Sequence, residues 1–390
     1  MKKTMAMLLA LLLVAVMLPV MAMADEATVV STQEALKNAV AAGGEVTLGA
    51  NITASITIPK DKTVTLNLGA FTLTGDGDHT ITNNGTLTVV GSGKVVNING
   101  GKAALFNNVN AVANLNGGTF EGTTWYVIKN LGTITMNGAS VDQKDTGSSA
   151  IDNGWYDSTS TSGHGNDCGI VYPGGYAKLT IANGNFNGGM NTVKNDDYGV
   201  LEISGGTFSN TNGPTVLNWN VATISGGEFK VNSTATSVIA NGSFNNEADK
   251  GQLTITGGDF TSADGGRGAL FGYGDGAQNG GNLSITGGNF NGDLPGVGAY
   301  PYHIAITGGN FEDREGAKNY IPSNMEIDGN GNVVNKSITI IVPSEGGNTT
   351  TTPSTDNTKN PSTGANDLVG VAAAMAVVSL LGAAVAVRKK

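Results

Sequence analysis

The chain has 390 residues, 59 of them glycine, with 39% hydrophobic residues, only 13% charged ones and a formal net charge of −10. Glycine at that level without a three-residue period excludes collagen, and the hydrophobic content excludes a disordered chain. The acidic balance argues against nucleic acid as a partner, because phosphates are bound by clustered Lys and Arg.

Residues 1–24 read as a signal peptide, with Lys2 and Lys3 at the start, an apolar run from Met5 to Val20 and a small-residue site at Ala22-Met23-Ala24. Export would leave a chain with one cysteine, Cys168, and no internal disulfide. Stability then has to come from the core. Without the segments removed at the two ends the chain would hold 16 basic and 30 acidic residues, a charge of −14.

Ser31-Thr32-Gln33-Glu34 matches a capping box, Ala35, Leu36, Val40 and Ala41 supply an apolar face, and Gly43-Gly44 ends the helix. Such a helix predicts a lid over the open end of the first strands. Strands are predicted at Val46–Leu48, Ile52–Ile58 and Val64–Leu68. Asp76-Gly77-Asp78-His79 is a turn. Its two aspartates could meet calcium but lack the further carboxylates of a full calcium loop, so no cofactor is expected.

The middle of the chain repeats one phrase. Ile-Thr-Gly-Gly-Asn-Phe stands at 285–290 and 306–311, with variants ending at Phe120, Phe186, Phe208, Phe229 and Phe260. Phe186, Phe208 and Phe229 are 22 and 21 residues apart, as are Phe290 and Phe311 at 21, whereas the steps through Phe260 are 31 and 30. That is a solenoid of about 21 to 22 residues per rung, with some rungs lengthened. Ala240–Phe244 is too close to Phe229 for a rung and reads as an insertion, and Val141 stands where a phenylalanine would. In Leu253-Thr254-Ile255-Thr256 the alternation is that of a half-buried strand, and the following Gly-Gly turns the chain.

From Glu45 to Val334 this arrangement resembles the right-handed parallel β-helix of the pectate-lyase-like superfamily. The resemblance implies an all-β right-handed parallel β-helix solenoid with a short N-terminal capping helix. It leaves function open, because that fold carries lyases, hydrolases, adhesins and stalks.

The segment from Val141 to Phe186 has room for two rungs or for one rung and a long loop. Trp155, Tyr156, Tyr172 and Tyr176 could stack on sugar rings, and with His164 they are the candidate ligand-binding residues. His164, Asp167 and Cys168 are neighbours in sequence, which alone does not make a nucleophile or a metal site.

Catalysis by the superfamily makes demands that the sequence does not meet, and no catalytic residue is assigned. Its lyases use several aspartates for calcium and an arginine base; here the only arginines before the C-terminal tail are Arg267 and Arg314. Its hydrolases carry four motifs in order, of which only Gly163-His164-Gly165 and Asp196-Asp197 occur, reversed. Adjacent aspartates on a strand would also point to opposite faces.

Met325 to Val334 predicts a hairpin around Asn330-Gly331, and Ile338–Val342 one more strand, stopped by Pro343. The solenoid domain thus runs over 25–343. Residues 344–359 form a Thr/Ser/Pro-rich linker. In residues 360–390, Asn360-Pro361-Ser362-Thr363-Gly364 precedes a 20-residue apolar span, Leu368–Val387, and Arg388-Lys389-Lys390. This order resembles the sorting signal of Gram-positive surface proteins, with asparagine in place of the usual leucine. It implies a sortase that cuts after Thr363 and joins Thr363 to peptidoglycan. The expectation is a monomeric, cell-wall-anchored extracellular protein, an adhesin binding a glycan or protein. Alternatives are a polysaccharide lyase or glycoside hydrolase, and an inert stalk.

Overall fold

A computed structural model describes residues 27–155, 166–167, 170–171, 173–242, 251–264, 268–273, 281–294 and 303–337. Each full rung supplies one strand to each of three parallel sheets. In one rung these are Thr133–Asn137, Ser140–Gln143 and Ile151–Asn153. The first sheet has 12 strands, from Thr28–Val30 to His303–Ile306; the second has 11, from Ile52–Thr53 to Asn310–Phe311; the third has nine, from Ile56–Ile58 to Leu270–Tyr273. The result is an all-β, right-handed-type parallel solenoid of about 10 turns.

Alternation decides what lies inside. Along Thr63–Asn67, Val64 and Leu66 are fully buried while Thr65 is half-exposed. Registers then align like with like: Ile203, Ile224, Ile255, Ile285 and Ile306 form one column. Phe186, Phe208, Phe229, Phe260, Phe290 and Phe311 form another, with ring centroids 4.6 to 4.9 Å apart. That spacing is the distance between paired strands, so the backbone sets the stack. Val141 does occupy the next place in the column, between Phe120 and Phe186. The Gly-Gly corner is sterically required. Gly227 has φ +109°, and a Cβ on Gly226 would sit 2.5 Å from the Ser204 carbonyl oxygen of the rung below.

A third column was not anticipated. Seven of the nine strands of the third sheet share the pattern apolar-x-Asn: Ile81-Thr82-Asn83, Leu105-Phe106-Asn107, Ile128-Lys129-Asn130, Ile151-Asp152-Asn153, Val193-Lys194-Asn195, Val216-Leu217-Asn218 and Ile239-Ala240-Asn241. The seven asparagines are buried, and the Nδ2 of each of the first six donates to the Oδ1 of the next at 2.7 to 2.8 Å, while Asn241 Nδ2 donates to the Gly251 carbonyl at 2.6 Å. The second amide hydrogen reaches a backbone carbonyl, as Asn130 Nδ2 does to Lys178 at 2.9 Å, and Oδ1 also accepts from the corner, as from Gly132 N–H at 3.0 Å. Buried amides satisfied in this way specify register as well as stability.

Several expectations are corrected. Ile239–Gly242 is the third side of a rung, so Ala240–Phe244 does not begin an insertion; most of the extra length of that rung falls between Gly242 and Gln252, and Phe244 lies outside the described residues. Ile52–Ile58 is two strands of different sheets, because the chain turns at Ala54-Ser55, where Asp76 accepts from Ser55 N–H at 2.8 Å. Between Val141 and Phe186 there is one rung and a long loop, since Ile151–Asn153 pairs directly with Val193–Asn195.

At the N-terminal end, the helix α1 (Gln33–Ala42) buries Leu36 and Val40. Its N-cap is Thr32, whose Oγ1 accepts from Ala35 N–H at 3.2 Å, one residue later than the expected box. The strand Thr28–Val30 precedes it and pairs with Gly44–Leu48. At the other end Met325–Ile327 and Val333–Asn335 form the expected antiparallel hairpin, and Gly331 at its turn has φ +88°. A short helix, α2 (Arg314–Lys318), was not anticipated; Asp313 caps it by accepting from Gly316 N–H. The predicted strand at Ile338–Val342 lies outside the described residues.

Candidate binding surface

The middle residue of each apolar-x-Asn triplet points away from the solenoid core. Thr57 is exposed there and Thr82 half-exposed, but Phe106, Lys129, Asp152, Lys194, Leu217 and Ala240 are buried. A second layer therefore sits on the outer face of the third sheet. Phe106, Leu131, Trp155, Ala103 and Ala177 form its apolar part, with Val109, Trp125, Ile170 and Tyr198 packed against them. Leu217, Trp219 and Ala240 form a smaller cluster farther along.

Charges are embedded in this layer. Lys129 pairs with Asp152, and neither side chain has exposed surface. Lys194 Nζ lies 2.7 Å from Asp196 Oδ2 and 3.9 Å from the centre of the Trp219 ring. Pairs this dry are strongly destabilising to break, because the remaining charge stays buried.

The corner beside Phe106 is aromatic and partly open. His79 stacks on Phe106 with ring centres 4.6 Å apart and lies 5.7 Å from Trp125, which is 4.7 Å from Tyr126. His79, Trp125 and Tyr126 are half-buried. Beside them Lys102 and Asp78 form an exposed ion pair at 2.9 Å. His79 Nδ1 accepts from Ala103 N–H at 2.8 Å, so its proton resides on Nε2. Burial, with help from the Lys102 cation and against Asp78, pushes its pKa down to about 4.

The sign of that shift sets an expected pH dependence. A histidine whose folded pKa lies below its unfolded value binds its proton more readily in the unfolded chain. Its contribution to stability is complete above pH 6.5 and is lost progressively down to about 4. Protonation there also removes the acceptor for Ala103. A thermal-melting series over that pH range will show a slope that His79→Gln flattens; identical slopes in the two proteins would refute the assignment.

The sequence-level candidates are scattered. Trp155 is 1% exposed and belongs to the outer apolar cluster, so its ring is covered. Its backbone N–H donates to the Asp197 carbonyl at 2.8 Å. Tyr176 is exposed. Tyr156, His164, Tyr172 and Cys168 lie outside the described residues, as do Asn360, Pro361, Ser362, Thr363 and Gly364. Asp167 is on a two-residue strand paired with Ile170–Val171. Asp196 and Asp197 are not on a strand, as supposed, but in the corner after Val193–Asn195, both wholly buried.

Asp76, considered for calcium, accepts from Ser55 N–H and from Gln33 Nε2 at 2.6 Å, and so ties α1 to the first corner. Its hydrogen bonds to Ser55, aided by Lys37, hold its carboxyl below the usual range. Among the described residues no group of three or more His, Cys, Asp or Glu is arranged to hold a metal ion. Asp264, Asp293, Glu312 and Asp313 line an open depression near the C-terminal end. Glu312 and Asp313 there accept from the backbone N–H of Gly292 and Leu294.

The aromatic corner was missed because its members are far apart in sequence. The available signal was the apolar-x-Asn triplet, which puts the third sheet in register and brings positions about 23 residues apart onto adjacent rungs, as Asn83 and Asn107 are. No family model, curated protein or solved structure matches this chain.

Proposed function

We propose that this is a binding module displayed on the wall of a Gram-positive bacterium, taking a glycan or an apolar protein segment at the aromatic corner. The observation that carries this reading is the half-buried group His79, Trp125 and Tyr126, seated on buried Phe106 and flanked by Asp78–Lys102. Rings held by a rigid scaffold offer large apolar faces at low entropic cost, and the neighbouring charges can accept or donate to hydroxyls. Likeness to pectate-lyase-like solenoids supports the scaffold role. The likeness of residues 1–24 to a signal peptide and of 360–390 to a sorting signal supports surface display through Thr363. Burial of Asp196 and Asp197, with Asp196 already paired to Lys194, favours binding over hydrolysis, which needs two accessible acids across one bond.

Screening the secreted protein against a glycan array and a panel of extracellular matrix proteins tests the first half. Trp125→Ala will weaken any ligand found by roughly tenfold or more while the circular dichroism spectrum stays that of the wild type. A ligand that binds the variant equally well would refute the aromatic corner as the site, and no ligand at all would leave a passive stalk as the better description. For the second half, Thr363→Ala will move the protein out of the covalent wall fraction; unchanged wall attachment would refute sortase processing.

A further inference from the structure

Lys129 and Asp152 are the middle residues of two neighbouring strands, Ile128–Asn130 and Ile151–Asn153, and face each other in register. Lys129 Nζ and Asp152 Oδ1 are in hydrogen-bond contact, and both side chains have zero exposed surface. Phe106 below them and Lys194 above them, in the same outward column, are also buried.

Such a pair has two ways to lower the cost of its burial. It can remain ionic, with attraction set against two desolvation penalties, or it can become neutral. Transfer of one proton from the ammonium to the carboxylate leaves an amine, a nucleophile, beside a carboxylic acid, an electrophile. Reacting atoms held about 3 to 3.5 Å apart in a site closed to water have effective concentrations far above any in solution, on the order of 10⁵ M or more. The reverse reaction needs water, which the site excludes.

We propose that Lys129 and Asp152 condense without an enzyme into an amide that links adjacent rungs. The amine lone pair attacks Asp152 Cγ. The Nζ–Cγ bond forms and the Cγ–OH bond breaks, and the hydroxyl departs with an amine proton as one water. No oxidant, cofactor or partner enters the balance. The link closes a loop between positions 23 residues apart and restricts the unfolded chain as a disulfide would, in a protein with a single cysteine. Lys194–Asp196 is the less suitable pair. Its partners are two residues apart on one strand and corner, Lys194 is 8% exposed, and its ammonium lies 3.9 Å from the centre of the Trp219 ring, closer than Lys129 Nζ lies to the Tyr126 ring at 5.3 Å, a contact that favours the charged form.

Mass spectrometry of the denatured, full-length mature protein decides the matter, and no ligand is needed. The wild type is expected to be lighter than its sequence by one water. Trypsin will then fail to cut after Lys129, and will release Ala103–Lys144 joined to Asp145–Lys178 as one branched peptide. Asp152→Ala will return to the sequence mass and be cut after Lys129. A wild-type protein at its full sequence mass that is cut after Lys129 overturns the proposal. So does a lost water that maps to any other pair. Should the alanine variant fail to fold, the wild-type mass and branched peptide decide alone.

Discussion

Replacing Phe229 by alanine will destabilise the solenoid by roughly 3 to 5 kcal/mol, the range for deleting a large aromatic side chain from a packed core. Phe229 is 1% exposed and stacks on Phe208 at 4.6 Å and on Phe260 at 4.9 Å, with ring planes within 8° of parallel. Its removal leaves a hole with an aromatic face above and below, and the rungs cannot close on it because strand pairing holds them apart. Phe311 ends the column and touches one neighbouring ring, Phe290, so Phe311→Ala will cost less, by about 0.5 to 1.5 kcal/mol for the missing ring contact. The check is the guanidinium midpoint of each variant at unchanged slope. Equal losses at the centre and the end would mean that the rings do not act as a column. Stability in stacked repeats is a sum over neighbouring interfaces, so the central variant should lose two such terms.

Asn153→Ala will cost about 3 kcal/mol, more than the side-chain volume suggests. Asn153 accepts from Asn130 Nδ2 at 2.7 Å and donates to Asn195 Oδ1 at 2.8 Å and to the Val200 carbonyl at 3.2 Å. Alanine leaves a buried donor and buried acceptors without these partners, and each such group costs about 1 to 3 kcal/mol. Asn83 begins the ladder and makes its one contact within it, to Asn107, so Asn83→Ala should be milder. Backbone amide exchange will locate the damage in the rungs on either side of Asn153. Protection there equal to wild type would show that solvent replaces the amide freely and that the ladder is not a structural element.

Both expectations rest on columns, and the two columns were unequally legible. The phenylalanines announce themselves because all but Phe186 of the stacked six follow a Gly-Gly corner, at steps of 21 or 22 residues or about nine more. The asparagines repeat as regularly, but asparagine is common in turns, so Asn107 or Asn195 alone reads as a solvated loop residue. Only the stack shows that they are inside. The same reason explains Trp155. In sequence it stands in a polar, glycine-rich stretch and looks exposed; in the fold it roofs the outer face of the third sheet beside Phe106 and Leu131. His79 and Trp125 carried no local signal, since they meet only when three successive rungs are superposed.

Sequence alone determined that this chain is a stack of strand-rich rungs, which residues point inward along Leu253–Ile255 or Val64–Leu66, and where helix α1 and the final hairpin close the ends. These are decisions of local chemistry: alternation, glycine corners and caps act within a few residues. Tertiary structure decided which outward-facing residues are covered, that Lys129 meets Asp152 and that three rings gather beside Phe106. Those contacts join residues a full rung apart, and they depend on the length of each corner, which sets the register between strands and which no local preference encodes.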